Sequence, residues 1–155
     1  MLAKARILAL AVPALLLGGA LGSQHWGGLV PCEMCMWQRY PHYTALGLAL
    51  LAILLARTPL SRPFVILAGL AILVSGGLGV FHAGVEYGLW KGPEHCTSLV
   101  SGSGADLLKA ILAAPLIRCD QPQWTMLGVS LAGFNAIFSI LGGLAVLSLC
   151  RRPAR

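Results

Sequence analysis

Charge is scarce along this chain. Its 155 residues include 11 Lys or Arg and only 5 Asp or Glu, 10% charged against 57% hydrophobic. That is too little polar surface to cover a soluble domain of this length. Also missing are a CxxCH haem-attachment motif, a flavin motif and a glycine pattern that cradles nucleotide phosphates. Any redox chemistry must therefore use other groups. No long repeat or low-complexity tract occurs, which excludes a solenoid or array. The net charge of +6 does not indicate nucleic acid, because the charges are sorted along the chain by side.

What remains is apolar sequence in long runs. Segments from Ile7 to Ser23, Tyr40 to Ala56, Phe64 to Ala83 and Trp124 to Leu149 predict four membrane spans, since a helical crossing needs ~20 apolar residues. The first two are short, so their ends must draw on interfacial residues. Lys4, Arg6, Arg57, Arg62, Arg151, Arg152 and Arg155 fall on one side of such a bundle. All five acids fall on the other, with Arg39, Lys91, Lys109 and Arg118. The positive-inside rule then places both termini in the cytoplasm. Trp26, Trp37, Trp90, Trp124, Tyr40, Tyr43 and Tyr87 cluster near the outer boundary, as an aromatic belt does. The N-terminal stretch also reads as a signal peptide ending at Ala20-Leu21-Gly22. Its removal would leave the other three spans in the same orientation.

The predicted fold is all-α: one four-helix membrane domain over residues 1–155, with outer loops at about 24–39 and 84–123. In the second loop, Ser103 and Asp106 in SGSGADLLKAILAAPLI resemble a capping box. They predict a short amphipathic helix on the outer surface or an ordinary loop helix packed on the protein. Gly18 and Gly22, Gly76 and Gly77, and Gly142 and Gly143 suit close helix packing in lipid, within the bundle or at a dimer face.

Four of the five cysteines face the outer, oxidising side: Cys32 and Cys35 in the first loop, Cys96 and Cys119 in the second. Such pairs are structural staples or redox devices. A bridge between Cys96 and Cys119 would close a mobile loop. A CxxC ring constrains almost no chain, so Cys32 and Cys35 point to thiol exchange or metal binding. Arg39 lies four residues after Cys35, on the same face if the chain is helical there. A guanidinium one turn away favours the thiolate, while snorkelling at the interface is the plainer reading. Pro41 conflicts with a helical carbonyl at Trp37, so the helix is expected to kink or begin afresh there. Oxidation of other proteins needs an electron sink, and the acceptor most available at a membrane boundary is a lipid-soluble quinone. His82 and Glu86 stand at i,i+4 and could pair on one face. A boundary histidine there could supply protons for quinone reduction, or be an interfacial histidine with no role. Asn135 is expected to make a helix–helix hydrogen bond, and Cys150 to be an inert thiol on the reducing side.

PCEMCMWQR, HAGVEYGLWKGPEHC and IRCDQPQWTMLGVSLAGFN together resemble the bacterial disulfide bond formation protein B family over nearly the whole chain. The resemblance implies an inner-membrane enzyme that reoxidises a periplasmic thioredoxin-fold thiol oxidase and passes the electrons to ubiquinone or menaquinone. Carried over by position, Cys96 would be attacked by the partner's thiolate. Cys119 would be its disulfide mate and would exchange with Cys32. Cys35 would face the quinone, forming a charge-transfer or adduct state with it, and Arg39 would hold the quinone carbonyl. His82 matches a family histidine near the quinone once a gap is allowed. The Cys96–Cys119 loop is somewhat shorter than in the best-known members.

Three other readings compete, one of them a structural membrane protein held by two disulfide staples. The four outward cysteines with His95 could hold Zn²⁺, although Cys96 and Cys119 form no second CxxC. A family relative dedicated to one narrow client would show the same residues.

Overall fold

A computed structural model describes residues 1–93, 103, 104, 109 and 118–151 of the chain. Its architecture is helical, with α1 at Leu2–His25, α2 at Glu33–Leu54, α3 at Ser61–Glu86 and α4 at Leu131–Arg151. Two short strands, β1 at Thr125–Met126 and β2 at Val129–Ser130, precede α4. Cys96 and almost all of the surface helix expected between Ser101 and Ile117 lie outside the described residues.

Three helices, α1, α3 and α4, are long and apolar enough to cross a membrane. The second predicted span does not reach that standard. It lies in α2, whose outer half is diluted by Glu33, Gln38, Arg39 and His42. The first span is longer than its apolar core, because the helix continues from Leu2 through His25. The fourth is shorter than expected at its start. Residues 124–130 form a hairpin instead of helix, pairing Thr125 with Ser130 and Met126 with Val129. Leu127 and Gly128 both take positive φ, 53° and 78°, as the two central residues of a type I′ turn require.

Each helix end has a local cause. Cys32 is extended and caps α2, its Sγ accepting from the Cys35 backbone N–H at 3.2 Å, and Glu33 in the first turn suits the helix dipole. The helix then runs continuously through Pro41, so it does not begin afresh there. The loss is one backbone hydrogen bond, which neighbouring helices can offset in a membrane protein. At the end of α3, Gly88 N–H bonds to Val85 O at 3.1 Å and Leu89 N–H to Gly84 O at 2.8 Å, with Gly88 at φ 70°. These are the paired bonds of a Schellman stop. Ser130 caps α4, its Oγ accepting from Gly133 N–H at 3.1 Å.

The helices pack antiparallel. Ser61 Oγ donates to Ala52 O at 2.7 Å and Ser75 Oγ to Gln38 O at 2.8 Å, which runs α3 back along α2. Gly69 faces Val146 and Leu147, Gly76 faces Ser139 and Ile140, and Gly79 faces Ala132 and Ala136, which runs α4 back along α3. Gly142 and Gly143 also lie in tight contacts, whereas Gly18 and Gly77 face open space. The end remote from the CxxC holds a core of small side chains, among them Ala5, Ala9, Ala49, Ala52 and Ala68. There Arg62 Nη2 donates to Cys150 O at 2.9 Å, and the Cys150 thiol is free and buried.

The tightest glycine contact with backbone between α3 and α4 gives a stability prediction. A Cβ on Gly79 would stand 2.9 Å from Ala136 N and 3.0 Å from Ala132 O, backbone atoms that cannot swing aside. Gly79→Ala is expected to cost about 1–3 kcal/mol by overpacking, read as a lowered melting temperature in detergent. Gly77→Ala, in open space, is the control and should leave the melting temperature near wild type. Equal stability of both variants would contradict this packing of α3 on α4.

Candidate functional site

The cap that starts α2 also builds the dithiol. With Cys32 at the cap and Cys35 in the first turn, the two Sγ atoms lie 2.8 Å apart, and both thiols are free. Their environments differ. Cys32 is buried at 1% exposure, and its hydrogen bond to Cys35, reinforced by burial, pushes its thiol far above the usual range. The same hydrogen bond holds Cys35 below that range, and the Arg39 charge helps to a lesser degree. The pair therefore keeps its proton on Cys32 and its thiolate on Cys35. Sequence reasoning credited Arg39 with this activation, whereas the neighbouring thiol is the larger cause.

Arg39 is itself buried, at 8% exposure. Its Nη1 donates to Gln24 Oε1 at 2.6 Å and its Nη2 to Ala20 O at 3.2 Å, tying α2 to α1. Among the described residues no carboxylate pairs with it. A guanidinium inside an apolar bundle without a counter-ion has spare donor capacity.

His82 comes up from α3 to complete the constellation. Its Nε2 lies 3.7 Å from Cys32 Sγ and 3.8 Å from Glu86 Oε1. Its Nδ1 faces the Gln38 side-chain nitrogen at 2.8 Å. That nitrogen also donates to the Met34 carbonyl at 3.1 Å, which only an N–H can do. Nδ1 is thus the acceptor, and the neutral ring carries its proton on Nε2, toward the sulfur and the carboxylate. His82 also hydrogen-bonds the Cys119 backbone. Glu86 accepts from Ser130 Oγ, and Tyr87 Oη donates to Gly128 O and accepts from Ser130 N–H, each at 2.9 Å. These contacts latch the hairpin to α3 beside the dithiol.

Cys119 is disulfide-bonded. It is buried with Cys32, Met34 and Val85 in one cluster, which brings the second loop to the first. Gln123 Nε2 donates to Val30 O at 2.7 Å, pinning the second loop over the first. His25 is exposed, and His95 and Cys96 fall outside the described residues.

A polar network behind this site went unread in the sequence, apart from Asn135. Gln38 Oε1 accepts from Asn135 Nδ2 at 2.8 Å. Asn135 Nδ2 also reaches the Ser75 carbonyl at 3.2 Å, while Asn135 Oδ1 meets His42 Nε2 at 2.9 Å and Ser139 Oγ at 3.0 Å. These groups join α2, α3 and α4. Their signal in the sequence was polar residues at helical spacing inside apolar runs, Gln38 with His42 and Asn135 with Ser139.

Cys35, Arg39, Gln38, His42, His82 and Asn135 all border a cavity of about 200 Å³. Leu15, Leu16 and Ala20 of α1 and Phe134 of α4 supply its apolar walls, and Arg118, Gln121, Gln123 and Trp124 border its loop side. An apolar pocket with a few converging polar groups suits a flat organic ligand. The rival metal reading has partial support: Cys32, Cys35 and His82 offer ligand atoms within 4.8 Å of one another. The Gln38 bond argues against it, because the His82 nitrogen facing the sulfurs bears a proton and offers no lone pair.

The split between the two thiols is testable. Cys35 lies below the usual thiol range, so its thiolate persists as pH falls through that range and is lost only at the lower value. Alkylation of Cys35 by iodoacetamide is expected to stay fast at about pH 7, where an ordinary thiol is mostly protonated. Cys32→Ala should move the Cys35 profile upward more than Arg39→Met does. Peptide mass spectrometry across a pH series reads both profiles, and an unchanged profile in Cys32→Ala would contradict the assignment.

A profile of the family described as "Disulfide bond formation protein DsbB" matches residues 3–149. The disulfide bond formation protein B of Verminephrobacter eiseniae is 32% identical over 96% of this chain and 85% of the relative. That of Polaromonas naphthalenivorans is 34% identical over 96% and 90%. That of Acinetobacter baylyi is 34% identical over 86% and 82%. No solved structure matches the chain.

Proposed function

Because the chain belongs to the disulfide bond formation protein DsbB family, and is thus a membrane disulfide oxidoreductase, we propose that it reoxidises a periplasmic thioredoxin-fold thiol oxidase and delivers the electrons to a membrane quinone. In this reading it sits in the bacterial inner membrane with both termini in the cytoplasm. The polar outer half of α2 faces the cavity instead of lipid, and α2 is the fourth crossing. The observation that carries the proposal is the cavity shared by the Cys35 sulfur and the Arg39 guanidinium.

The residues fit a quinone. Its carbonyl oxygens accept hydrogen bonds, and Arg39 has donors free to give them. Its ring suits the apolar walls of α1 and Phe134. When bound, a quinone supplies a two-electron acceptor next to the sulfur whose thiolate is favoured. The protein's own steps are thiol–disulfide exchanges. The partner's thiolate attacks Cys96 in a Cys96–Cys119 disulfide and releases the Cys119 thiolate. Cys119, buried in the same cluster as Cys32, attacks Cys32 in a Cys32–Cys35 disulfide and releases Cys35 as the thiolate. The partner's second thiol resolves its mixed disulfide with Cys96, and the freed Cys96 resolves Cys119 from Cys32. Cys32 recovers its proton beside the His82 Nε2–H and Glu86. The dithiol then returns to a disulfide as the electron pair passes from Cys35 to the acceptor.

The test is anaerobic. Purified protein is mixed with a reduced thioredoxin-fold partner and a short-chain benzoquinone, and quinone absorbance is followed. One quinone is expected to be reduced per partner disulfide formed. Partner oxidation without quinone loss, or no turnover at all, would contradict the proposal.

A further inference from the structure

We propose that Glu86 is the port through which the proton that the dithiol cannot supply enters the cavity from water. The inference deepens the quinone reading and rests on it.

The need for a port follows from a count of protons. A Cys32 thiol, a Cys35 thiolate and a quinone become a disulfide and a hydroquinone when two electrons pass and two protons are taken up. Cys32 brings one proton, so the second must come from outside. The groups beside the sulfurs are badly placed to fetch it. Cys32 is 1% exposed and His82 2%. The neutral His82 ring already holds its proton at Nε2, and its Nδ1 lone pair is occupied by the Gln38 amide. The ring has no site left to receive a proton from water.

Glu86 has the access that His82 lacks. Among the described residues it is the one carboxyl that borders the cavity. It also borders a second, open pocket formed with Tyr87, Leu89, Trp90, Lys91 and Asp120, all of them exposed. No other described residue borders both. Its side chain is 7% exposed, so it stands as a wall between the two spaces. Its oxygens are differently held. Oε2 accepts from the Ser130 hydroxyl, whose oxygen is fixed in turn by Gly133 N–H. Oε1 lies 3.8 Å from His82 Nε2, beyond hydrogen-bond reach. The carboxyl is clamped by one oxygen and keeps the other for a proton.

The step then balances. The Cys32 and Cys35 sulfurs bond, and two electrons pass to the ring. The Cys32 proton goes to one ring oxygen, and the Glu86 proton goes to the other through a bridging water. The negative charge that leaves Cys35 reappears on Glu86, where the Ser130 hydroxyl holds it. Water in the open pocket then reprotonates the carboxylate.

The test uses full-length protein reduced with dithiothreitol, freed of excess reductant and mixed anaerobically with a short-chain benzoquinone. Glu86→Gln keeps the size and an oxygen for Ser130 but has no proton to release. Its single-turnover rate of ring reduction is expected to fall about 100-fold, with quinone affinity of the oxidised protein within about twofold of wild type. In Glu86→Ala, formate, a small acid that can enter the open pocket, should raise the slowed rate at least about tenfold. Chloride at equal ionic strength should not, and formate should leave wild type unchanged. A merely structural role for Glu86 would not answer to formate. If wild type reduces the ring and Glu86→Gln matches its rate, or the variants no longer bind the ring, or formate has no effect on Glu86→Ala, the inference is overturned and the quinone reading stands. If wild type reduces no quinone, both fall.

Discussion

Cys35→Ser is expected to abolish quinone reduction, lowering turnover at least ~1000-fold, while the protein stays folded and keeps its Cys119 disulfide. The size of the effect follows from what Cys35 does. Its sulfur is the one held as thiolate, by the hydrogen bond from Cys32, and it borders the cavity with Arg39. Serine keeps the size but can neither release an electron pair at neutral pH nor close a bond to Cys32. The outer disulfide does not depend on Cys35, so one round of exchange with the reduced partner should survive. Stopped-flow quinone absorbance in the variant, beside a gel assay for the trapped mixed disulfide, separates the two steps. Turnover at more than a few per cent of wild type would place the electron exit elsewhere.

Cys119→Ala should break the chain at its other end. Multiple turnover with the reduced partner is expected to drop at least ~100-fold, since no relay disulfide remains for the partner to attack. A small dithiol such as dithiothreitol can reduce the Cys32–Cys35 disulfide directly, and quinone reduction after that treatment should proceed near the wild-type single-turnover rate. The contrast between the two electron sources is the informative result. Equal loss with both would mean that Cys119 supports the fold around Cys32, with which it is buried, instead of relaying electrons.

The parts of the site legible in the sequence were those set by local spacing. Cys32, Cys35 and Arg39 are separated by single helical turns, so once α2 begins at Glu33 their shared face follows. His82 and Glu86 met the same condition on α3. Polar residues that find each other across helices were harder to read. Gln38, His42, Ser75 and Ser139 looked unremarkable one at a time, and Asn135 signalled a contact without naming its partner. Their network depends on how α2, α3 and α4 are rotated, which the glycines at 69, 76 and 79 set by letting α4 approach. The hairpin before α4 was missed because Trp124 to Val129 is apolar enough to extend a helix, and only the positive φ values at Leu127 and Gly128 reveal the turn. The helix does not begin afresh at Pro41 because a proline removes one bond from a helix otherwise held by its neighbours.

The most direct measurement of the central claim is photolabelling with an azido-benzoquinone followed by peptide mapping. Label is expected on the cavity walls, in residues 15–23 of α1 and 35–42 of α2. It should disappear when excess unlabelled quinone competes. Label confined to other segments, or label on these walls that excess quinone does not displace, would contradict a shared chamber for the dithiol and its electron acceptor.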